Sequence, residues 1–131
     1  MINPEPKRGQ APFQVSLGGR GEMVGTAYLA EKGYKILETN YRCPLGEIDV
    51  VAVKGERIIF VEIKTRSGEH FGRPEESVHG FKQRKLTQLA HWYLKDKKLL
   101  NKPAGFAVLA ITWKEKDNPQ IRLIENAFEA R

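Results

Sequence analysis

The chain has 131 residues, enough for one domain whose core needs neither disulfides nor a structural metal. Its single cysteine, Cys43, excludes an internal disulfide framework and a multi-cysteine zinc site, and no apolar run approaches the roughly 20 residues of a membrane helix. With no apolar signal core at the N-terminus, the expectation is a cytoplasmic protein away from membranes, and a net charge of +6, from 22 Lys and Arg against 16 Asp and Glu, biases its surface toward polyanions.

Residues 1–17 hold three prolines and no sustained periodicity, which predicts a flexible N-terminal arm ahead of a single domain over 18–131. From Arg20 to Lys32 the pattern becomes helical, with Val24, Ala27, Tyr28 and Glu31 on one stripe, Glu22 in the first turn and Gly33 as terminator. Lys35 to Tyr41 predicts a first strand, and Cys43-Pro44-Leu45-Gly46 turns the chain into a hairpin.

That hairpin, Gly46 to Lys64, is the most informative stretch. Two β-branched runs, Ile48 to Val53 and Ile58 to Ile63, flank Lys54-Gly55-Glu56-Arg57. A two-residue loop at Gly55-Glu56 pairs Lys54 with Arg57, Val53 with Ile58, Val51 with Phe60, Asp49 with Glu62 and Glu47 with Lys64. Strict alternation then puts Ile48, Val50, Ala52, Ile59, Val61 and Ile63 on one face. The opposite face is apolar near the turn and ionic at the open end, where Glu47, Asp49, Glu62 and Lys64 gather. Opposed carboxylates destabilise a sheet unless a positive charge stands between them. A divalent cation held by Asp49 and Glu62, with Lys64 beside it, meets that need; a salt-bridge ladder of Glu47 with Lys64 and Asp49 with a neighbouring cation is the alternative.

Thr65 to Glu76 reads as a loop beside this open end. A long helix follows between Val78 and Leu94, with Phe81, Leu86, Leu89, Ala90, Tyr93 and Leu94 as its apolar stripe and Arg84, Gln88, His91, Lys95 and Lys98 on another face. Asp96 is the single acid between His79 and Lys102. Phe106 to Trp113 predicts a buried strand and Gln120 to Glu125 a final one, so the crossover helix brings the fourth strand in parallel to the hairpin. His70, His79 and His91 lack zinc spacing, and Trp92 and Trp113 read as core or rim aromatics rather than stacking platforms.

Gly21-Glu22, Gly46-Glu47-Ile48-Asp49, Val61-Glu62-Ile63-Lys64-Thr65-Arg66, Phe71-Gly72-Arg73-Pro74, Lys82-Gln83-Arg84-Lys85-Leu86 and Asn126-Ala127-Phe128 occur in this order. In this combination the chain resembles the bacterial YraN-like family of the PD-(D/E)XK nuclease superfamily, and is more distantly similar to archaeal Holliday junction resolvases. The resemblance implies a restriction-endonuclease-like three-layer α/β fold with a mixed central sheet. It further implies a metal-dependent endonuclease acting on nucleic-acid phosphodiesters, with DNA, including branched or junction DNA, favoured over RNA. Asp49 and Glu62 would be the Mg²⁺ or Mn²⁺ ligands, Glu22 a third acid from the first helix, Lys64 the catalytic lysine, and Gln83 the polar residue often carried by the following helix. Arg66, Arg73, Lys82, Arg84 and Lys85 would hold the nucleic-acid backbone. A homodimer follows by analogy, because junction cutting needs two symmetric sites. Two departures stand out: Ile48 replaces the proline of the superfamily's name, and Ala107 stands where relatives often carry an aspartate. A nucleic-acid-binding module of the same fold, with weak, lost or partner-dependent hydrolysis, is the second function class, and a purely structural domain the third.

Overall fold

A computed structural model describes residues 17–67, 80–115 and 118–128. Its elements are α1 (Leu17–Glu31), β1 (Lys35–Cys43), β2 (Gly46–Lys54), β3 (Arg57–Ser67), α2 (Gly80–Asp96), β4 (Ala104–Glu115) and β5 (Asn118–Ile124). The strands form one sheet in the order β1-β2-β3-β4-β5. Neighbours are antiparallel except β3 and β4, which run parallel because α2 carries the chain from the end of one back to the start of the other. The expected α/β class, a mixed sheet between two helical layers, is therefore what forms, and it is consistent with a restriction-endonuclease-like three-layer fold. The proposed arm lies outside the described residues, apart from Leu17, which opens α1.

Each sheet face has its own core. Leu86, Leu89, Ala90 and Tyr93 of α2 pack on Tyr41, Ile48, Val51, Ile58, Phe60, Phe106 and Val108. Leu29 of α1, with Val24 and Tyr28 beside it, packs on Val50, Ala52, Ile59, Val61, Ala107, Leu109 and Ile111. No described polar or charged residue is fully buried, as a dry two-layer core requires. The tail closes the α2 side: the Ala127 N–H donates to the Phe106 carbonyl at 3.0 Å, and Phe128 stacks on Phe106 with ring centroids 4.5 Å apart.

Three sequence expectations change here. The first is the stripe of α1, where Ala27 and Glu31 are exposed while Gly21 and Gly25 are buried. The helix approaches the sheet through these glycines, and a β-carbon at Gly25 would stand 2.8 Å from Leu109 Cδ2 and 3.3 Å from Ile63 Cδ1. The second is Glu22, which lies in the second turn because the helix begins at Leu17, so it does not complement the positive end of the helix dipole. Gly33 does end the helix as expected, at φ +92°.

The third concerns the hairpin. Its register near the turn is the predicted one, Lys54 with Arg57, Val53 with Ile58 and Val51 with Phe60, but the ladder stops at Val50 with Val61. Asp49 and Glu62 are not cross-strand partners, and neither are Glu47 and Lys64. Ile48 belongs to the α2 core while Val50 belongs to the α1 core, so alternation breaks between them. On β1 the corresponding irregularity is Asn40, at φ +55°, between the pairs Thr39 with Val50 and Tyr41 with Ile48. Asparagine tolerates this left-handed conformation better than most residues.

The close seat of α1 sets an expected outcome. Gly25→Val should lower unfolding free energy by about 1 to 3 kcal/mol through overpacking against Leu109, whereas Met23→Val on the exposed side should stay within about 0.5 kcal/mol. Urea denaturation of the two variants checks this; equal midpoints would remove the glycine seat as a determinant of packing.

Candidate metal centre and its basic helix

The open end of the hairpin carries two groups of charges, one toward each helix. On the α1 side, Glu22, Asn40, Glu47, Asp49, Ile63 and Thr65 line a concavity of about 230 Å³. Glu22 accepts a 2.6 Å hydrogen bond from Asn40 Nδ2, so the left-handed Asn40 fixes the α1 carboxylate against β1. Glu47 pairs with Arg42 across β1 and β2 at 2.7 Å, not with Lys64. Asp49 Oδ2 accepts the Ile63 N–H at 2.8 Å, so a side chain takes the place of the main-chain partner where the ladder ends.

On the α2 side stands Glu62, beside a small apolar cavity lined by Ile48, Phe60, Leu86, Phe106 and Phe128. Its Oε1 lies 3.0 Å from Lys82 Nζ and 3.5 Å from Lys64 Nζ, and its side chain is only 13% exposed. Two ammonium groups thus meet on one carboxylate oxygen. Burial and the neighbouring Lys82 push Lys64 below its ordinary value. Burial opposes the charge of Lys82 as well, but Lys64, Glu62 and Asp49 together hold its proton more firmly than usual. Of the two ammonium groups, Lys82 thus holds its proton the more firmly, although sequence reasoning assigned it only to backbone phosphates.

Asp49 links the two groups. Burial first, then the charge of Glu62, pushes its carboxyl from 3.8 up to about 6; Glu47 adds to the rise, while the Ile63 N–H and Lys82 oppose it. Asp49 is a half-buried carboxylate that takes its hydrogen bond from a backbone N–H, and the donors beside it are hard oxygens, so the residues fit a divalent cation such as Mg²⁺ or Mn²⁺. Among the described residues no group of three His, Cys, Asp or Glu side chains is close enough to hold an ion unaided. Mg²⁺ is commonly bound by one or two carboxylates, with water and phosphate completing its shell, so Asp49 and Glu62 meet the usual protein share.

The remaining sequence-predicted residues divide by place. Gln83 is half-buried in α2 next to Lys82, and its carbonyl accepts the Thr87 hydroxyl at 2.8 Å. Arg84 and Lys85 are exposed on the same helix. Arg66, at the end of β3, shares by alternation the α2 side with Glu62 and Lys64. Arg73 lies outside the described residues, as do His70 and His79. Ala107 is buried in the core beside β3 and supplies no carboxylate. Sequence reasoning missed Asn40, whose only signal was a residue type tolerant of positive φ inside a strand, and left Glu47 without a role although it lines the concavity with Glu22 and Asp49.

The raised Asp49 value has a stability consequence whose sign is opposite to that of an ordinary paired carboxylate. The folded carboxyl, near 6, binds its proton more tightly than the unfolded one, near 3.8, so stability falls as pH rises through that window. In chelator, Asp49→Asn should be more stable than the native protein at pH 8 by on the order of 2 kcal/mol, and the gap should close by pH 4. Urea midpoints at the two pH values check this; a variant no more stable at pH 8 would contradict the burial of an uncompensated charge.

The family model described as "Uncharacterised protein family UPF0102" matches residues 21–113, the span from α1 through β4 that builds this site. The UPF0102 protein of Moorella thermoacetica is 46% identical over 113 residues, covering 85% of this chain and 93% of the relative. Those of Geotalea uraniireducens and Thermodesulfovibrio yellowstonii are each 45% identical, over 114 and 117 residues, covering 87% and 88% of this chain and 90% and 97% of theirs. The chain belongs to the UPF0102 family.

Proposed function

We propose that this chain is a metal-dependent endonuclease of the PD-(D/E)XK superfamily, hydrolysing phosphodiester bonds of nucleic acid, with DNA favoured over RNA. The observation that carries this reading is the half-buried Asp49, raised to about 6 beside Glu62, with Lys64 and Lys82 together on one oxygen of that glutamate. A half-buried Asp49 that accepts a backbone N–H rather than a cation, next to Glu62 and a lysine, suits phosphoryl chemistry better than a structural salt bridge, which would neutralise both acids.

Asp49 and Glu62 would hold the cation, with Glu22 contributing from α1 through the concavity it shares with Asp49. When bound, Mg²⁺ or Mn²⁺ supplies Lewis acidity toward a phosphoryl oxygen and lowers the pKa of coordinated water. Lys64, with its proton affinity lowered by burial and by Lys82, orients the attacking water and offsets charge developing on the phosphorus oxygens. Gln83 stands beside Lys82 on α2, where it can donate to the same phosphate. Arg66, Arg73, Lys82, Arg84 and Lys85 hold flanking phosphates without reading sequence. A homodimer with two such sites remains part of the proposal by analogy with junction-cutting relatives.

The occupation of Glu62 by two lysines favours a second reading, a nucleic-acid-binding module in which hydrolysis is weak, lost or dependent on a partner. Cleavage of a panel of linear, flapped, single-stranded and junction DNA with Mg²⁺ or Mn²⁺ separates the two. Asp49→Ala and Glu62→Ala should each lower the rate at least about 100-fold, the loss expected when transition-state charge stabilisation is removed. Equal rates in both variants and the native chain would overturn the assignment. Salt-sensitive binding that survives Glu62→Ala, with no cleavage under either metal, would establish the binding module instead.

A further inference from the structure

The two tryptophans occupy opposite environments. Trp113 is 8% exposed, with the Arg20 guanidinium 4.3 Å from its ring centroid, as a rim aromatic should be. Trp92 is 41% exposed, which its reading as core or rim does not explain. It stands in the middle of a line on the solvent side of α2: Lys85, Gln88, Trp92 and Lys95 recur at spacings of three and four residues, and all four are exposed. Beside this line is an open groove of about 460 Å³, bordered by Trp92, Leu45 from the turn between β1 and β2, Thr87, Gln88, His91 and Lys95.

Charge decides what can occupy the groove. Asp96, the one acid of α2, accepts the Tyr41 hydroxyl at 3.0 Å and has Lys97 Nζ at 4.0 Å, so the line itself is left to cations and amides. A second copy docking on this face by a two-fold axis through the middle of the line would bring Lys85 of each copy toward Lys95 of the other, a like-charge contact. A polyanion meets no such cost. Cations alone would bind any nucleic acid, but an exposed indole adds a flat apolar face that only an unstacked base can cover, because the base faces of an uninterrupted duplex are already stacked. The line also has the right place. It begins at Lys85, one helical turn beyond Lys82 on Glu62, and Trp92 lies about 15 Å along the axis from Lys82 at 1.5 Å per residue.

We propose that Trp92 is a stacking platform for an unpaired nucleobase, and that the line Lys85, Gln88, Trp92, Lys95 carries a single-stranded segment of nucleic acid away from the carboxylate site. The inference rests on the nucleic-acid reading above and deepens it by naming the substrate class: a tail, flap or branch with unpaired bases rather than uninterrupted duplex.

Intrinsic fluorescence tests it in the full chain with chelator present, so that no cleavage occurs. Titration with an oligothymidylate strand should quench the native protein, since Trp92 is the exposed reporter and Trp113 is covered. Trp92→Phe should bind the strand with little loss but without that quenching. Trp92→Ala should bind it roughly 5- to 150-fold more weakly, the range for one lost base stack, while its affinity for blunt duplex DNA changes less than about twofold. Circular dichroism and thermal melting of both variants should match the native chain, as befits an exposed position. Native-like strand affinity in Trp92→Ala, or strand binding without quenching in the native protein, overturns the platform and leaves the nuclease reading standing. So does a native dimer, in analytical ultracentrifugation, that Trp92→Ala converts to monomer, because the groove would then belong to a second copy. Absence of binding to both single strand and duplex at low salt would overturn the nucleic-acid reading itself.

Discussion

A single hydrogen bond, from the Ile63 N–H to the Asp49 carboxylate, decides how the open end of the hairpin is built. It ends the β2–β3 ladder at Val50 and Val61 by giving Ile63 a side-chain acceptor in place of a strand neighbour. Once the ladder ends there, the acids no longer share a face. Glu22, Glu47 and Asp49 gather toward α1, Glu62 gathers lysines toward α2, and Asp49 feels both groups. In the proposed nuclease Asp49 and Glu62 would hold the cation from the two sides of this division, where the hairpin frays. A fully zipped hairpin would bring Asp49 and Glu62 directly opposite each other and leave their repulsion unrelieved.

The two sides of the site are maintained by different physics. On the α1 side geometry does the holding: Asn40 in a left-handed conformation bonds Glu22, and a backbone N–H bonds Asp49. On the α2 side charge does it, with Lys64 and Lys82 sharing one carboxylate oxygen in a partly dehydrated setting where each loses hydration and gains Coulomb attraction. Removing one partner from such a cluster exposes the other to the full cost of burial, whereas loosening the hydrogen-bonded side would mainly change distances.

Much of this was legible in the sequence. Gly55 with the β-branched runs fixed the turn and the nearby register, the 3.6-residue stripe of α2 marked Leu86, Leu89, Ala90 and Tyr93 as core, and the crossover length implied a parallel fourth strand. The failures share a cause: each depended on contacts between distant segments. Period-two alternation cannot anticipate a strand that changes face at Asp49, because the change is driven by the Ile63 N–H fourteen residues away. Helical periodicity scores apolar side chains, so it overlooked a packing face made of Gly21 and Gly25. Lys82 reads as one more surface cation until the fold brings the start of α2 to the end of β3. The stripe of α2 takes in Tyr93 and passes over Trp92, but a tryptophan left off the stripe still reads as a rim aromatic until the fold shows it 41% exposed.

The glycine seat of α1 acts as a spacer gauge for the proposed site. Glu22 sits between Gly21 and Gly25, so its depth relative to Asp49 is set by how closely the helix axis can approach β3 and β4. Side chains added at those two positions would lift the helix and widen the distance between acids while leaving every acid in place. Mg²⁺ demands oxygens at about 2.0–2.1 Å, whereas larger cations accept 2.3–2.6 Å and more of them. In the proposed nuclease, ion preference would therefore depend on two residues that have no side chain and would never touch the ion.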